Sequence, residues 1–497
     1  MVFSVDNVVL IVSLLLLVSI IAGKTGYRFG VPILVLFLGV GMAFGNDGFG
    51  LQFSSPGVAQ FIGVLALNSI LFSGGMDTKY HEIKPVIVQG VVLATLGVLL
   101  TALITGFFIF LLTKHVFTSV TFSLLGAMLL ASVMSSTDSA SVFAILGSKG
   151  LALKERLRPL LELESGSNDP VAYLLTITFI QWLQIGENSF WAITGMLAMQ
   201  LLIGAVLGYL FGRLSVKIIN KINLNNESLY PVLMLALLYL IFSVTTALQG
   251  NGYLAVYISG LVIGNSKFVH KKTAKKFMDG MAWLFQIVMF LTLGLLVNPT
   301  ELLPIAGIGL AISLLMIFVS RPLAVWLCLL PFGKMSSKAK HYVSWVGLRG
   351  AAPILFATYP WTASVENAQT IFNIVFFVTL VSLLVQGTTV PVVARWLGLA
   401  GESKPAKKLS TFDVELSDDI KSSMSEIMLT EEHLSHGNRI MDMPIPEKTL
   451  VVMVKRGDSY FVPQGSTLLE PGDILLVISD NERSLSETYA RIGVKGN

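Results

Sequence analysis

Apolar residues fill the first part of the chain in blocks of bilayer length, separated by short polar segments. A helix needs about 20 predominantly apolar residues to cross hydrocarbon, because lipid offers no partner to free backbone N–H and C=O groups. Thirteen stretches fit: 5–23, 31–45, 58–75, 86–113, 119–147, 156–184, 190–212, 230–248, 252–264, 277–297, 302–331, 341–359 and 369–392. The second and ninth are short and the eleventh is long, so the pattern predicts about 13 transmembrane helices. A Lys-, Pro- and Ser-bearing stretch, Ala400–Leu409, then changes the period to alternation. Strands are expected at 412–416, 449–454, 459–462 and 473–478, with turns at Arg456-Gly-Asp458 and Glu470-Pro-Gly-Asp473. The expected fold is an all-α polytopic membrane domain over 1–398, a linker over 399–410, and a small α+β cytoplasmic domain over 411–497.

Composition sharpens that division. Of 497 residues, 54% are hydrophobic and 13% charged, with a mean hydropathy of +0.75, whereas soluble domains have roughly 25% charged residues. A plain soluble enzyme is excluded. Residues 1–399 hold 23 Lys and Arg against 14 Asp and Glu, and residues 400–497 hold 11 against 16. The overall +4 therefore reflects topology, and no nucleic-acid partner is expected. Short cytoplasmic loops collect Lys and Arg. The odd-numbered loops hold 19 of them, including Lys149, Lys154, Arg156 and Arg158 in the third; the even-numbered loops hold Lys114 alone. This alternation places the N-terminus outside and the C-terminal domain in the cytoplasm. Lys24 follows the first apolar stretch and no basic residue precedes it, so that stretch reads as a retained helix. The single cysteine, Cys328, builds neither a disulfide framework nor a Cys-based metal site.

Seven ionisable residues fall inside or at the edge of spans: Asp138, Glu162, Glu164, Asp169, Asp279, Arg321 and Arg349. Ionisable groups at such depth mark function unless a partner neutralises them. Asp279 lies near a helix start and Arg321 is able to snorkel or pair, so both read as structural. Around Asp138, six hydroxyl residues (Ser132, Ser135, Ser136, Thr137, Ser139 and Ser141) compete with helix hydrogen bonds and predict an interrupted helix lining a cavity. In the sixth stretch, Glu162, Ser165 and Asp169 share one face, while Glu164 and Asn168 share another. Pro170 removes a backbone donor, and the oxygen ligands collected there suit a hard monovalent cation rather than a transition metal. Glu162 lies one turn toward the cytoplasm, as a possible funnel residue. In the twelfth stretch, Arg349 between Gly347 and Gly350, followed by Pro353, predicts a second interrupted helix. Glu164 is the candidate partner of Arg349, as a fixed ion pair that leaves Asp169 free. One broken helix in each half fits the inverted-repeat plan of secondary transporters, with stretches 1–6 and 8–13 as the repeats.

At Thr137-Asp138, Glu164-Ser-Gly-Ser-Asn-Asp-Pro170 and Gly347-Leu-Arg-Gly-Ala351 the sequence resembles the NhaP-type sodium(potassium)/proton antiporters of the cation:proton antiporter superfamily. The resemblance covers about the first 395 residues. It implies thirteen spans, a homodimer, alternating access by a core domain moving against a dimer domain, and a bacterial cytoplasmic (inner) membrane location. By resemblance, Asp169 binds cation or proton with Ser165 and Thr137 as further ligands, Asp138 stands beside them, and Glu164 and Arg349 form the buried pair. Asn168, where relatives exchanging unequal charge have a second Asp, goes with electroneutral exchange. The sequence departs from the pattern at Ser73, where relatives often carry an acid, and at Ser139, where many have proline. No cofactor is expected; K+ or Na+ and H+ are the substrates.

The tail, with Val462-Pro-Gln-Gly-Ser-Thr-Leu-Leu-Glu-Pro-Gly-Asp473, resembles the RCK-C (TrkA C-terminal) module. That implies pairing as dimers and a small-molecule or nucleotide regulator, and it favours K+. Rival classes fit poorly. Thr25-Gly-Tyr27 runs into Arg28 in a basic loop and is no pore filter. No histidine lies deep in a span to serve a hydrolase. A proton-coupled organic solute carrier is the remaining alternative.

Overall fold

The computed structural model describes residues 5–479, apart from 30–31, 119, 186–189, 334, 403–423, 435–436, 444, 446–448 and 458. It divides into two compact units, Met1–Glu402 and Ser403–Asn497.

The first unit is helical: α1 (Val5–Phe29), α2 (Ile33–Phe44), α3 (Pro56–Asp77), α4 (Tyr80–His115), α5 (Leu124–Val133), α6 (Ser139–Ser148), α7 (Leu157–Ile185), α8 (Phe190–Lys221), α9 (Leu229–Ala247), α10 (Gly252–Gly264), α11 (Lys271–Leu295), α12 (Ala306–Leu329), α13 (Ser337–Trp345), α14 (Ala351–Thr362) and α15 (Ala368–Trp396). Each apolar stretch of the sequence falls on one of these helices, or on the half-helix pairs α5/α6 and α13/α14. Among the described residues seven helices are long and apolar enough to cross a membrane: α3, α4, α8, α9, α11, α12 and α15. Polar caps set several starts, since a side-chain oxygen takes up an otherwise orphaned N–H. Ser123 accepts from Gly126 N at 3.1 Å, Asn251 from Leu254 N at 3.0 Å and Ser336 from Ala339 N at 3.1 Å.

Helix α10 spans only 13 residues, and small residues seat it between α3 and α8. Gly260 and Gly264 lie against the Phe72 and Met76 carbonyls, where a Cβ would come within 2.5 and 2.3 Å. On the other side, Gly208 meets Ala255, leaving 2.7 Å for a Cβ. Such contacts let backbones approach closely where no hydrophobic effect separates lipid from protein. Beyond α15, a short antiparallel ladder pairs β1 (Leu151–Leu153) with β2 (Ala400–Glu402), Leu151 opposite Glu402. Residues 400–402 thus hydrogen-bond to the α6–α7 connection, and the first unit runs to Glu402.

The second unit is an antiparallel sheet in the order β3-β6-β4-β5, from β3 (Met424–Met428), β4 (Thr449–Arg456), β5 (Ser459–Phe461) and β6 (Ile474–Ser479), with a bulge at Val451/Met453. Strand β3 had no clear signal in the sequence. The strand expected at 412–416 lies outside the described residues. Gly457 and Gly472, in the regions expected to turn, have φ of 57° and 95°, values at which L side chains are strained. Beneath them Arg456 donates to both Asp473 oxygens at 2.9 and 2.8 Å and to Glu470 at 2.5 Å. Burial pushes the Asp473 carboxyl up, but the Arg456 hydrogen bonds, the Glu470 N–H and the guanidinium charge outweigh it and hold it below the usual range.

Two expectations follow from this packing. Gly260→Leu should lower the unfolding midpoint of the purified protein in detergent, costing about 1–3 kcal/mol by overpacking; an unchanged midpoint would show that α3 and α10 separate freely. Because the Asp473 value is lowered on folding, its pairing stabilises the sheet above about pH 4, the unfolded value, and that stability is lost as pH falls through the folded value. Hydrogen exchange over 449–456 and 474–479 should accelerate in that window, and Asp473→Asn should bring the faster exchange to neutral pH.

Candidate ion-binding site at the crossing of two broken helices

The peptide leaves helical geometry between α5 and α6, and again between α13 and α14. The two unwound segments touch: Asp138 N donates to Leu348 O at 2.7 Å. Gly350 permits the approach, since a Cβ there would fall 2.3 Å from Asp138 Oδ2. Asp138 caps α6, accepting from Ser141 N at 3.1 Å and from the Ser141 hydroxyl. A carboxylate at a helix N-terminus is favoured by the helix dipole.

Helix α7, continuous through Pro170, faces the first break. Ser165 donates to Thr137 O at 2.9 Å and accepts from Ser139 N at 3.0 Å, so one hydroxyl holds both edges of the gap. One turn on, Asn168 Nδ2 donates to Thr137 Oγ1 at 2.6 Å. Asp169 is 9% exposed and lines a cavity of about 290 Å³ together with Asp138, Thr137, Ser165, Ser136 and Glu162. Gly166 lines it too and takes the ring of Tyr257, which would stand 2.2 Å from a Cβ. The Pro170 carbonyl accepts from Asn251 Nδ2 at 2.8 Å. Glu162, at the rim, pairs with Arg158 at 2.8 Å. The structure therefore gathers Thr137, Asp138, Ser165, Asn168 and Asp169 at one point. No group of three or more His, Cys, Asp or Glu suited to a metal ion occurs among the described residues; hydroxyls, carbonyls and carboxylates are the ligands on offer.

Residues 11–396 match the family described as sodium/hydrogen exchanger, transmembrane, and residues 424–493 match the TrkA-C domain. The chain belongs to the sodium/hydrogen exchanger family. It is a multi-pass cation/proton antiporter of the NhaP type that carries a TrkA-C domain. It is 37% identical to the K(+)/H(+) antiporter NhaP of Alkalimonas amylolytica over 96% of this chain and 81% of that one. It is 39% identical to the K(+)/H(+) antiporter NhaP2 of Shewanella sp. (strain MR-4) over 97% and 82%. In fold it is similar to the sodium proton antiporter MjNhaP1 from Methanocaldococcus jannaschii, with a TM-score of 0.68 and 24% identity over 79% of this chain and 99% of that one.

The ion pair of this exchanger differs from the expected one. Glu164, 1% exposed, accepts from Arg321 Nη2 at 2.5 Å, and Arg349 is not its partner. Arg349 is already engaged: its Nε donates to Met134 O at 3.0 Å and its Nη1 to Gly347 O at 3.2 Å. It thus caps the C-terminal end of half-helix α5, where a cation is favoured. Arg321 reaches Glu164 by packing over Gly347, where a Cβ would sit 3.0 Å from its Cγ. Sequence spacing supplied the acid and two candidate cations but no distance between them.

Two further residues went unnoticed. Ser382 accepts from Arg349 N at 3.1 Å and donates to Gln386 at 2.6 Å, while Gln386 Nε2 donates to Trp345 O at 2.7 Å. A polar pair four apart in the apolar helix α15 was the available signal. Asp279, read as structural from its place near a helix start, accepts from Ser73 Oγ at 2.6 Å across the α3–α11 contact.

A double-mutant cycle separates the two arginines. Glu164→Gln and Arg321→Met should each destabilise the protein by about 3–5 kcal/mol, by leaving a buried charge alone, and should be strongly coupled. The Glu164–Arg349 cycle should show a markedly smaller coupling. Equal couplings to both arginines would refute the assignment.

Proposed function

We propose that this protein exchanges one cytoplasmic monovalent cation, K+ in preference to Na+, for one external proton, by alternating access around Asp169. The observation that carries the reading is the cavity at the helix crossing. Asp169 stands in it beside backbone and hydroxyl oxygens, whereas Glu164 is neutralised by Arg321 and Glu162 by Arg158. Proton and cation compete for this one carboxylate, and Asp138, Ser165 and Thr137 complete the cation's oxygen shell. Asn168 is a positioning residue here: its amide holds the Thr137 hydroxyl and adds no charge. The moving unit therefore carries the same net charge in both directions. Transferring one net charge across 100 mV involves about 2.3 kcal/mol, and a carrier neutral in this sense is indifferent to that field.

The K+ preference rests on the names of the 37–39% identical relatives and on the TrkA-C domain. We read thirteen crossings, inverted repeats, an outside N-terminus and a cytoplasmic tail, a reading supported by the two half-helix pairs and by the alternation of basic loops. The repeat plan has a counterpart in the site: Ser165 and Asn168 of α7 serve the first break as Ser382 and Gln386 of α15 serve the second. We assign a homodimer, and regulation by a small ligand at the tail domains. Na+/H+ exchange in the same site is the second reading, suggested by the name of the MjNhaP1 fold relative.

In proteoliposomes, an outward K+ gradient should drive proton uptake that Asp169→Asn abolishes and that an imposed potential of either sign leaves unchanged. A rate or end-point that follows the potential would overturn one-for-one exchange. Flux driven by an organic solute without K+ or Na+ would overturn the cation reading.

A further inference from the structure

The cavity at the helix crossing has a larger neighbour of about 660 Å³. The two share Ile70, Gly74, Asp77, Ala140 and Gln286 in their walls. The larger one also includes Ser141, whose hydroxyl bonds Asp138. The two cavities are thus adjacent, and Asp77 and Lys149 are exposed at the rim of the larger one. Apart from its rim, this vestibule has predominantly apolar walls, and a cation without its full hydration shell gains little from them. Away from the rim, Asp279 is the carboxylate among its lining residues. It is half-buried in the vestibule wall and leaves one oxygen for the buried Ser73 hydroxyl, 6% exposed, at 2.6 Å.

The charges around Asp279 leave its carboxylate available. On its own helix, Lys275 is bonded to Asp77 of α3 at 2.6 Å. Lys149, on the facing α6–α7 connection, makes no ion pair with it among the described residues. Gln286, two turns along the same face of α11, lines both cavities. Asp279 and Gln286 thus form a polar track toward Asp169, and a Ser73 hydroxyl that donates to the carboxylate keeps lone pairs for a cation.

We propose that Asp279 and Ser73 form a second monovalent-cation station, occupied in passage between the cytoplasm and Asp169. The station rests on the exchange reading above. A single carboxylate in an apolar-walled cleft focuses the field and raises the local cation concentration, which acts on capture and not on the exchange step.

The test is initial-rate proton flux in oriented proteoliposomes, with K+ titrated on the cytoplasmic side at ionic strength held constant by choline. Asp279→Asn should raise the apparent KM for K+ about tenfold with the maximal rate kept. Ser73→Ala should raise it less, and Asp279→Glu should restore it. An unchanged KM, or a lost maximal rate that Asp279→Glu does not recover, would assign the Ser73–Asp279 contact to helix packing and overturn the station. Asp169→Asn is run alongside: cation-driven flux surviving in that variant would instead overturn the exchange reading on which the station stands.

Discussion

Inside a bilayer a backbone N–H or C=O without a partner costs several kcal/mol, and this protein breaks two helices where they cross. Loose backbone groups at the crossing find specific partners. The Thr137 carbonyl and the Ser139 N–H are taken by Ser165, the Asp138 N–H by the Leu348 carbonyl, the Met134 carbonyl by Arg349, and the Arg349 N–H by Ser382. The cost of unwinding is thereby offset by side chains on α7 and α15, the two continuous helices beside the breaks, and by contacts between the two breaks themselves. What remains unwound is a set of oxygens at the walls of a cavity, which is the physical basis for proposing a small hard cation as its occupant.

The same arrangement explains the division of labour among buried charges. A buried ion pair contributes little net stability, yet losing one partner is expensive. Glu164 and Arg321 therefore act as a fixed tie between α7 and α12, while Arg349 ties the C-terminal end of half-helix α5 to the second break. Asp138 is held by α6 and Ser141. Asp169 lies four residues beyond Ser165 on the cavity-facing side of α7. Rigid partners around a single adaptable carboxylate suit the proposed exchange, in which the occupant changes between a proton and a cation.

Much of this was legible in the chain. Hydroxyls crowded about Asp138 and glycines flanking Arg349 announced two interruptions, because both residue types weaken helix hydrogen bonding locally. The i, i+4 relation of Ser165 and Asp169 placed them on one face of α7. The turns at Gly457 and Gly472 were visible because few other residues tolerate their backbone angles. Strand β3 was not, since Met424-Ser-Glu-Ile-Met428 shows little alternation of apolar and polar residues to betray it; of its described side chains Ile427 is buried.

The sequence by itself determined what is local: which segments are apolar over bilayer length, where helices fail, and which face of α7 is polar. Only the tertiary structure decided which cation meets Glu164, because Arg321 and Arg349 are equivalent in type and both distant along the chain. Their roles depend on Gly347, whose missing side chain admits Arg321, and on the Met134 carbonyl, which claims Arg349. Likewise Asp279 is an unremarkable helix-start acid in sequence. It becomes a vestibule residue only because α11 packs on α3 and sets its carboxylate against the Ser73 hydroxyl. Periodicity reports how a helix presents its faces; which groups on different helices meet is fixed by close contacts between backbones, and those are set three-dimensionally.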